Sequence, residues 1–268
     1  LRTPGVLARV ASLFAPGTPV VVSERSTGLA QNTWRLTLER LLASRAGAFV
    51  VNSEAMGREV LGLIPGLKGR LFVVPNGVLW TEPTADDVAR AAALREKHLG
   101  DAELILLALS RLSREKGPDV LVEGLMRVAD KTRARLRVLW MGACVDAELG
   151  REVRSRLEVG PLRGRVVFLP PTDDTTSAYL ASDGLILPSR REGLPNVVLE
   201  ALAHGRPVIS SDVGDAGLVI EGSGAGWLVP PDDPDALGGA LEAFAAADAE
   251  RRREMGASGS AFVLREYS

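Results

Sequence analysis

The chain has 268 residues, of which 46% are hydrophobic and 25% charged, and its formal net charge is −2. This near-neutral balance, with 4% aromatic residues, excludes a nucleic-acid platform, which needs basic and stacking side chains. A single cysteine, Cys144, excludes an internal disulfide framework and suits a reducing compartment, and no stretch approaches the roughly 18 apolar residues that span a bilayer.

Strand-like and helical segments alternate along most of the chain, which is typical of a parallel α/β fold. Most predicted strands are continuous apolar runs, as expected for strands covered on both faces. The predicted strands are Val20–Ser23, Ala48–Asn52, Leu71–Val74, Leu104–Ala108, Leu136–Met141, Val166–Leu169, Gly184–Leu187, Pro207–Ser211 and Gly226–Val229. The predicted helices are Thr33–Arg45, Glu54–Leu63, Pro118–Ala129, Ala147–Leu157, Thr175–Ala181, Pro195–Gly205 and Pro234–Ala246.

A domain boundary is predicted between Val78 and Gly100. An Asn-Gly turn precedes this stretch, and Thr84–Leu99 is charged and alanine-rich without a strong apolar face, so we interpret it as a linker in which His98 is solvated. We assign residues 1–80 to a first domain and 81–268 to a second. The second has enough βα units for a complete doubly wound sheet, whereas the first has too few strands, so we predict that residues 1–80 are the C-terminal part of a truncated domain.

The segment from Leu187 to Ser211 carries the strongest functional signal. An apolar strand leads into a polar turn that contains Glu192, and Pro195 then opens a helix that carries Glu200. Backbone amides at a helix start can receive phosphate, and the helix dipole favours the anion. If all the intervening steps were helical, the two carboxylates would lie about 12 Å apart, which is too far for one reacting atom but matches the two ends of a sugar nucleotide.

A second motif, Ser110–Gly117, follows the first strand of the second domain and precedes its first helix. Ligands of open α/β sheets bind outside the carboxyl ends of the strands, so Arg111 and Lys116 lie where a diphosphate can bind. Each charged hydrogen bond would contribute about 1.5–3 kcal/mol, and cations with helix amides can neutralise a leaving diphosphate without a metal. The alternative is a pair of solvated basic residues in a βα loop.

With these motifs the chain resembles the retaining glycosyltransferases of family 4, which have the two-domain GT-B fold. The order and spacing of several sequence blocks carry the resemblance over nearly the whole chain. The blocks are VVNSEAM (Val50–Met56), VVPNGV (Val73–Val78), SRLSREKGPDVLVEGL (Ser110–Leu125), Glu-x7-Glu, GWLVPP (Gly226–Pro231) and the closing EYS. The resemblance implies a Rossmann-like nucleotide-sugar-binding domain that follows a partial, acceptor-side Rossmann-like domain.

The resemblance also implies the roles of individual residues. Arg111 and Lys116 would bind the donor diphosphate, and Glu192 would contact the transferred sugar, which makes these three the expected catalytic residues. Glu200 would hold the ribose hydroxyls. The turn between the glutamates, which consists of Gly193, Leu194, Pro195, Asn196 and Val197, would contact sugar hydroxyls and phosphate through the backbone amides that it carries.

The reaction that the resemblance implies is transfer of a sugar from a UDP- or GDP-sugar to a saccharide or lipid-linked saccharide acceptor. Configuration would be retained, with no metal and no other cofactor. The expected setting is cell-surface polysaccharide, lipopolysaccharide or glycolipid synthesis in the cytoplasm or at the cytoplasmic face of the membrane, with peripheral membrane contact through the missing part of the first domain. Because the first domain binds most of the acceptor in this family and most of it is expected to be absent, we expect weak donor binding and poor turnover from this polypeptide alone.

Some positions depart from the family pattern. Ser110 and Cys144 stand where the family usually has glycine, and Leu218 stands where an acidic residue is frequent, which bears on donor preference more than on reaction class. Arg25 follows the first strand, where many relatives carry a histidine. It would bind the donor phosphate or an anionic acceptor, or else form an exposed structural ion pair.

Four residues have structural interpretations. The D-x-D sequence at Asp233 begins a predicted helix, so we interpret this residue as a cap rather than a metal ligand. Ser53 is expected to be a helix N-cap, with lining of the cleft as the alternative, and His204 an end-cap before a glycine. Cys144 is interpreted as a small apolar filler rather than a nucleophile.

Two alternative functions remain open. One is a GT-B isomerase of the nucleotide-sugar 2-epimerase type, although that family lacks the combination of Arg-x4-Lys-Gly and Glu-x7-Glu. The other is a non-catalytic nucleotide-sugar-binding subunit, against which the intact set of phosphate and sugar ligands argues. A nicotinamide dehydrogenase is disfavoured because no G-x-G-x-x-G sequence follows the first strand of either segment.

Overall fold

A computed structural model of the chain describes residues 4–15, 17–25 and 33–268. The chain folds into two compact units. The first comprises Leu1–Asn76 with Glu192–Leu194, and the second comprises Gly77–Arg191 with Pro195–Ser268. The predicted boundary at residue 80 and the acceptor-side identity of residues 1–80 stay predictions.

The first unit contains a three-stranded parallel sheet in the order β1–β2–β3. Its strands are β1 (Val21–Glu24), β2 (Ala48–Val51) and β3 (Leu71–Val73). Its helices are α1 (Pro4–Ala11), α2 (Thr33–Leu41) and α3 (Glu54–Leu63). The apolar core includes the fully buried Phe49, and a buried ion pair between Arg9 and Glu39 joins α1 to α2.

The second unit is built on a six-stranded parallel sheet with the order β6–β5–β4–β7–β8–β9. The strands are β4 (Leu104–Leu109), β5 (Leu136–Met141), β6 (Val166–Leu169), β7 (Gly184–Leu187), β8 (Val208–Ser211) and β9 (Gly226–Val229). Numbered from its first strand, this is the 3-2-1-4-5-6 order of the dinucleotide-binding α/β fold, in which the winding direction reverses between strands 1 and 4. The predicted α/β class with parallel sheets is confirmed.

Helices cover both faces of this sheet. They are α4 (Ala85–Leu99), α5 (Pro118–Arg127), α6 (Asp130–Arg135), α7 (Ala147–Leu157), α8 (Thr175–Ala181), α9 (Asn196–Ala203), α10 (Ala216–Ser223), α11 (Pro234–Ala246) and α12 (Ala249–Glu266). Five consecutive residues of β4 are buried, and neighbouring residues of a strand point to opposite faces. The continuous apolar runs seen in the sequence therefore reflect a sheet that is shielded on both sides. Among the helices of the described ranges, none combines the length and hydropathy needed to span a bilayer.

Several predicted helix ends shift by one or more residues. The helix predicted over Thr33–Arg45 is α2 followed by a separate 3-10 turn, and the one predicted over Pro118–Ala129 ends at Arg127. Pro195 is the N-cap of α9 rather than its first residue. The predicted caps are confirmed: Ser53 Oγ accepts from the Met56 amide at 3.1 Å, and an Asp233 carboxylate oxygen accepts from the Ala236 amide at 2.9 Å.

The interpretation of Thr84–Leu99 as a linker is wrong, because the segment is helical. The segment forms α4, which a capping box between Thr84 and Asp87 opens and which packs on α8. His98 is half-buried rather than solvated, and burial lowers its pKa. Cys144 is exposed rather than an apolar filler, and its Sγ donates to the Asp146 carbonyl at 3.2 Å.

Candidate active site

The loop after β4 turns sharply into α5. Residues Arg114–Lys116 form a single 3-10 turn, Gly117 adopts a left-handed conformation with φ of 65°, and Pro118 begins the helix. A Cβ on Gly117 would lie 2.0 Å from the Pro188 carbonyl oxygen. Only glycine therefore allows this loop to approach the end of β7 so closely.

The two loops that carry most of the predicted site meet at the point where the sheet reverses its winding. β4 and β7 are adjacent and parallel, so the loop that follows β4 and the loop that follows β7 leave the same edge of the sheet. The Glu115 carbonyl accepts a hydrogen bond from the Arg190 amide at 2.8 Å. This contact places Lys116 beside the segment that leads from β7 to α9.

Arg190 joins the two loops through its side chain. Its two terminal nitrogens donate to the two carboxylate oxygens of Asp119 at 2.8 and 2.7 Å, and one also donates to the Arg114 carbonyl at 2.7 Å. Asp232, a non-glycine residue with φ of 60°, accepts from the same guanidinium. The bidentate geometry makes this one of the stronger kinds of charged contact.

The charge states of this cluster follow from the contacts. Burial works against ionisation of Asp119, but the hydrogen bonds and positive charge of Arg190 outweigh it and hold the Asp119 pKa below its usual value. The hydrogen bond to Asp119, aided by Asp232, raises the pKa of Arg190 against the effect of burial. The guanidinium therefore remains charged and fixes the loops as a permanent cation.

Glu200 lies in the second turn of α9 and is partly buried. Tyr179, on α8, is fully buried and donates from Oη to Glu200 Oε2 at 2.9 Å. Burial and the Glu200 charge together raise the Tyr179 pKa well above its ordinary value, so the phenol stays protonated as a donor. One carboxylate oxygen of Glu200 is thus oriented by the fold.

His204 completes this group at the end of α9. Its Nδ1 lies 2.7 Å from the Glu200 carbonyl oxygen, which confirms the predicted end-cap interaction. Its ring also stacks on Tyr179, with centroids 5.1 Å apart and an interplanar angle of 21°. The histidine therefore packs the tyrosine against α9 as well as closing the helix.

The two predicted phosphate ligands of the β4 loop, Arg111 and Lys116, differ in their exposure to solvent. Arg111 is exposed, and its guanidinium forms no ion pair within the described residues. Lys116 is half-buried at the end of the 3-10 turn. Asn196 and Val197 form the first turn of α9, where Pro195 at the N-cap offers no side-chain acceptor.

The remaining predicted residues belong to the first unit. Glu192, Gly193 and Leu194 group with that unit, and a Cβ on Gly193 would lie 2.8 Å from Asn52 Oδ1. Arg25 is exposed and donates to Asn76 Oδ1 at 2.7 Å. Its structural partner is thus a neutral carboxamide. The ligand roles of Glu192 and Arg25, like those of Arg111, Lys116 and Glu200, stay predictions.

Sequence reasoning missed the side chains that support the site. Arg190 stands inside the motif that was singled out, but its partner Asp119 is 71 residues away. Tyr179 lies in a helix that was predicted, 21 residues before Glu200. Within the described residues, no group of three or more His, Cys, Asp or Glu side chains is arranged to hold a metal.

Comparison with protein families gives a match over the sheet that builds this site. The profile of the family described as "Glycosyl transferases group 1" matches residues 103–246. A D-inositol 3-phosphate glycosyltransferase from Nocardia farcinica is 32% identical over 228 residues, which cover 81% of this chain and 49% of that protein. The protein of the same description from Xylanimonas cellulosilytica is 33% identical, covering 82% and 53%. The chain thus spans about half the length of these curated relatives.

Solved structures share the fold at lower identity. The crystal structure of Anabaena Alr3699/HepE in complex with UDP matches with a TM-score of 0.86 and 20% identity, covering all of this chain and 73% of that chain. Sucrose-phosphate synthase from Thermosynechococcus elongatus matches with a TM-score of 0.79 and 24% identity, covering 98% and 68%. These similarities extend over both units of the chain, and at this level of sequence identity they show a shared fold only.

Proposed function

The chain belongs to the group 1 glycosyltransferases, and from that membership we propose that its second unit binds the donor of a sugar transfer, a nucleoside diphosphate sugar. The observation that carries the proposal is the meeting of the β4 and β7 loops at the switch point of the sheet. In open α/β sheets this crevice is where nucleotides bind. UDP and UDP-glucose, which proteins of similar fold hold in solved structures, are therefore suitable probes.

The proposed donor contacts follow from residue chemistry. Lys116 and Arg111 supply positive charge for the diphosphate, and the amides at the start of α9 supply donors with the helix dipole behind them. Glu200, oriented by Tyr179, accepts hydrogen bonds from the ribose hydroxyls. Glu192 contacts the transferred sugar, with backbone amides of the following turn on its hydroxyls.

The proposed reaction retains the configuration of the anomeric carbon. The acceptor hydroxyl attacks that carbon from the face on which the phosphate departs, so a new C–O bond forms while the bond to the phosphate oxygen breaks. The acceptor proton passes to a departing phosphate oxygen, and the nucleoside diphosphate leaves. Basic side chains and helix amides stabilise the charge on the leaving group without a metal or other cofactor.

The acceptor and the cellular setting are proposed more broadly. The relatives described as D-inositol 3-phosphate glycosyltransferases make a phosphorylated polyol a first acceptor to try, beside saccharides and lipid-linked saccharides. We place the activity in the cytoplasm or at the cytoplasmic face of the membrane, in polysaccharide, lipopolysaccharide or glycolipid synthesis. Arg25 is kept as a candidate contact to an anionic acceptor or to the donor phosphate.

Product analysis with donors labelled in the sugar tests the proposal. UDP- and GDP-sugars are incubated with the protein, with and without the acceptors named above. Slow transfer of label to an acceptor with unchanged anomeric configuration, in the presence of a chelator, is the expected result, because turnover by this polypeptide alone is expected to be poor. An epimerised sugar nucleotide would instead indicate the epimerase alternative, and donor binding with no transfer to any acceptor would indicate a non-catalytic binding subunit.

A further inference from the structure

A second polar cavity lies at the opposite edge of the six-stranded sheet. Its volume is about 140 Å³, and it is bounded by Asp183 and Pro207, which precede β7 and β8, and by the first turns of α12. The amino-terminal ends of parallel strands face away from the edge where the β4 and β7 loops meet. Four residues of β7 rise about 13 Å, so the cavity is separate from the proposed donor site.

Three arginines line this cavity: Arg206, Arg252 and Arg253. In the part of the chain that the structure describes, none of the three forms an ion pair with a carboxylate. Arg252 is held by main-chain carbonyls, including that of Ala247, and its guanidinium lies 5.5 Å from the centre of the Phe244 ring. These contacts orient its charge without neutralising it.

The one acidic residue of the cavity wall is already committed elsewhere. Asp183 Oδ2 accepts a hydrogen bond from Arg95 at 2.8 Å and another from the Ile105 amide at 2.7 Å. The charge of Arg95 therefore offsets that of Asp183. Asp248, just before α12, caps that helix by accepting from the Arg251 amide at 2.7 Å. The cavity keeps an excess of positive charge.

Arg206 shows the strongest sign of an absent partner. Its Nε is buried and has no hydrogen-bond acceptor among the described residues. Burial lowers the pKa of Arg206, the Asp183 carboxylate partly offsets this effect, and Arg95 adds repulsion. A guanidinium nevertheless stays charged in proteins, so its unsatisfied donor carries a desolvation cost that an anion would relieve.

We propose that this cavity binds a phosphate group, either inorganic phosphate or a phosphomonoester, through Arg206, Arg252 and Arg253. Guanidinium forks match the oxygens of a tetrahedral phosphate, and the volume accepts such a group. The rest of a phosphomonoester would extend through the opening toward solvent. The proposal is independent of the sugar-transfer function.

Titration of inorganic phosphate into the protein, at ionic strength held constant with chloride, tests this site by calorimetry. We expect saturable binding that weakens about fivefold or more in Arg253→Gln, an exposed position whose change spares the fold. Arg251→Gln is the matched control, because Arg251 lies on the same helix, pairs with Glu254 and does not line the cavity. If the Arg206→Gln variant folds, it should not bind phosphate. If it does not fold, the Arg253→Gln variant alone decides whether the cavity binds phosphate.

Phosphate can also bind at a diphosphate site, so the titration is repeated with Lys116→Ala. Binding that persists in Lys116→Ala and falls in Arg253→Gln supports the cavity. Loss in Lys116→Ala with no change in Arg253→Gln overturns the proposal, as does the absence of saturable binding to the unmodified protein. Co-sedimentation with phosphatidylcholine vesicles containing phosphatidic acid, compared between the unmodified protein and Arg253→Gln, then shows whether a lipid phosphate also reaches the site.

Discussion

Glu200 depends on Tyr179 for its orientation. The phenol donates to one carboxylate oxygen, and the stacked His204 ring holds the phenol against α9. A carboxylate with one oxygen fixed in this way presents its other lone pairs in a defined direction. That arrangement suits a pair of neighbouring hydroxyls such as those of ribose, because each can donate to an oxygen whose position is already set.

The Tyr179 hydroxyl should contribute to nucleotide binding through Glu200. Tyr179→Phe removes a hydrogen bond to a charged group, worth about 1.5–3 kcal/mol, while keeping the ring and its packing. We expect UDP binding to weaken roughly tenfold, with binding of inorganic pyrophosphate changed less than about twofold, as measured by calorimetry. Tyr267→Phe, at the other tyrosine of the chain, is the control. Equal losses for both ligands would remove Glu200 from the ribose role.

Tyr179 should also make the folded protein less stable at alkaline pH. The Tyr179 pKa in the folded protein is raised above the value of 10.0 expected in the unfolded chain. The neutral phenol therefore contributes stability that is complete below about pH 10 and is lost as the pH rises through the folded-state pKa. The free energy of unfolding in urea should fall less steeply above pH 10 in Tyr179→Phe than in the unmodified protein.

Tyr267→Phe again provides the control, because burial also raises the pKa of Tyr267, although that residue is only half-buried. The fully buried Tyr179 should account for the larger part of the alkaline loss. Parallel pH profiles for Tyr179→Phe and the unmodified protein would contradict this assignment.

Among single residues, motif spacing identified the proposed ligand contacts more readily than the side chains that support them. Arg111, Lys116 and Glu200 stand in short motifs whose order is visible in the sequence. Tyr179 and Arg190 act through partners that are 21 and 71 residues away in the sequence. The strand order brings those partners together, and no local sequence pattern predicts that order. Caps such as Ser53 were predicted because the capping hydrogen bond spans three residues.

At the scale of elements, the approach of the β4 loop to the end of β7 rests on Gly117. Its left-handed backbone turns the chain into α5, and its missing side chain leaves room for the Pro188 carbonyl. Arg190 then holds the two loops together through Asp119 and two main-chain carbonyl contacts. The missing side chain of Gly117 and the ion pair between Arg190 and Asp119 thus both allow the same two loops to stay in contact.

Gly117 combines a left-handed backbone with a close approach to the Pro188 carbonyl, and comparison with Gly160 separates the two effects. Gly160 also has φ of 65°, but a Cβ there would meet nothing within 4 Å. Both Gly117→Ala and Gly160→Ala should lose about 1–2 kcal/mol from the left-handed backbone. Gly117→Ala should lose at least about 1 kcal/mol more, because its Cβ would overlap the Pro188 carbonyl. Urea unfolding measures both, and equal losses would show that the loops are not in such close contact.

Two helices show why element prediction failed where it did. Ala91 is the one buried residue of α4, so the sequence shows no apolar stripe from which a helix could be predicted. The residues of its capping box are nevertheless present in the sequence. α12 contains Gly256 and Gly259, and a Cβ on either would overlap a neighbouring segment: the Gly205 carbonyl for the first, Leu202 and Ala225 for the second. Close packing through glycines stabilises such a helix without the regular apolar stripe on which prediction depends.

At the scale of the whole molecule, the alternation of strands and helices was enough to predict a parallel α/β fold. The sheet order was not readable from composition or periodicity, yet it decides which loops share an edge. Once β4 and β7 are neighbours, the Ser110–Gly117 loop and the start of α9 must lie at the same switch point. The same topology sends the three arginines of the second cavity to the opposite edge.

Calorimetry on Lys116→Ala tests whether the β4 loop binds the diphosphate of the donor. UDP and uridine, with GDP and guanosine in parallel, are titrated into the unmodified protein, into Lys116→Ala and into Lys131→Ala, an exposed lysine on α6 that serves as the matched control. The diphosphate should bind about tenfold or more weakly to Lys116→Ala, while the bare nucleoside changes less than about twofold and Lys131→Ala behaves as the unmodified protein. Equal losses for nucleotide and nucleoside, or no loss at all, would show that Lys116 does not bind the diphosphate.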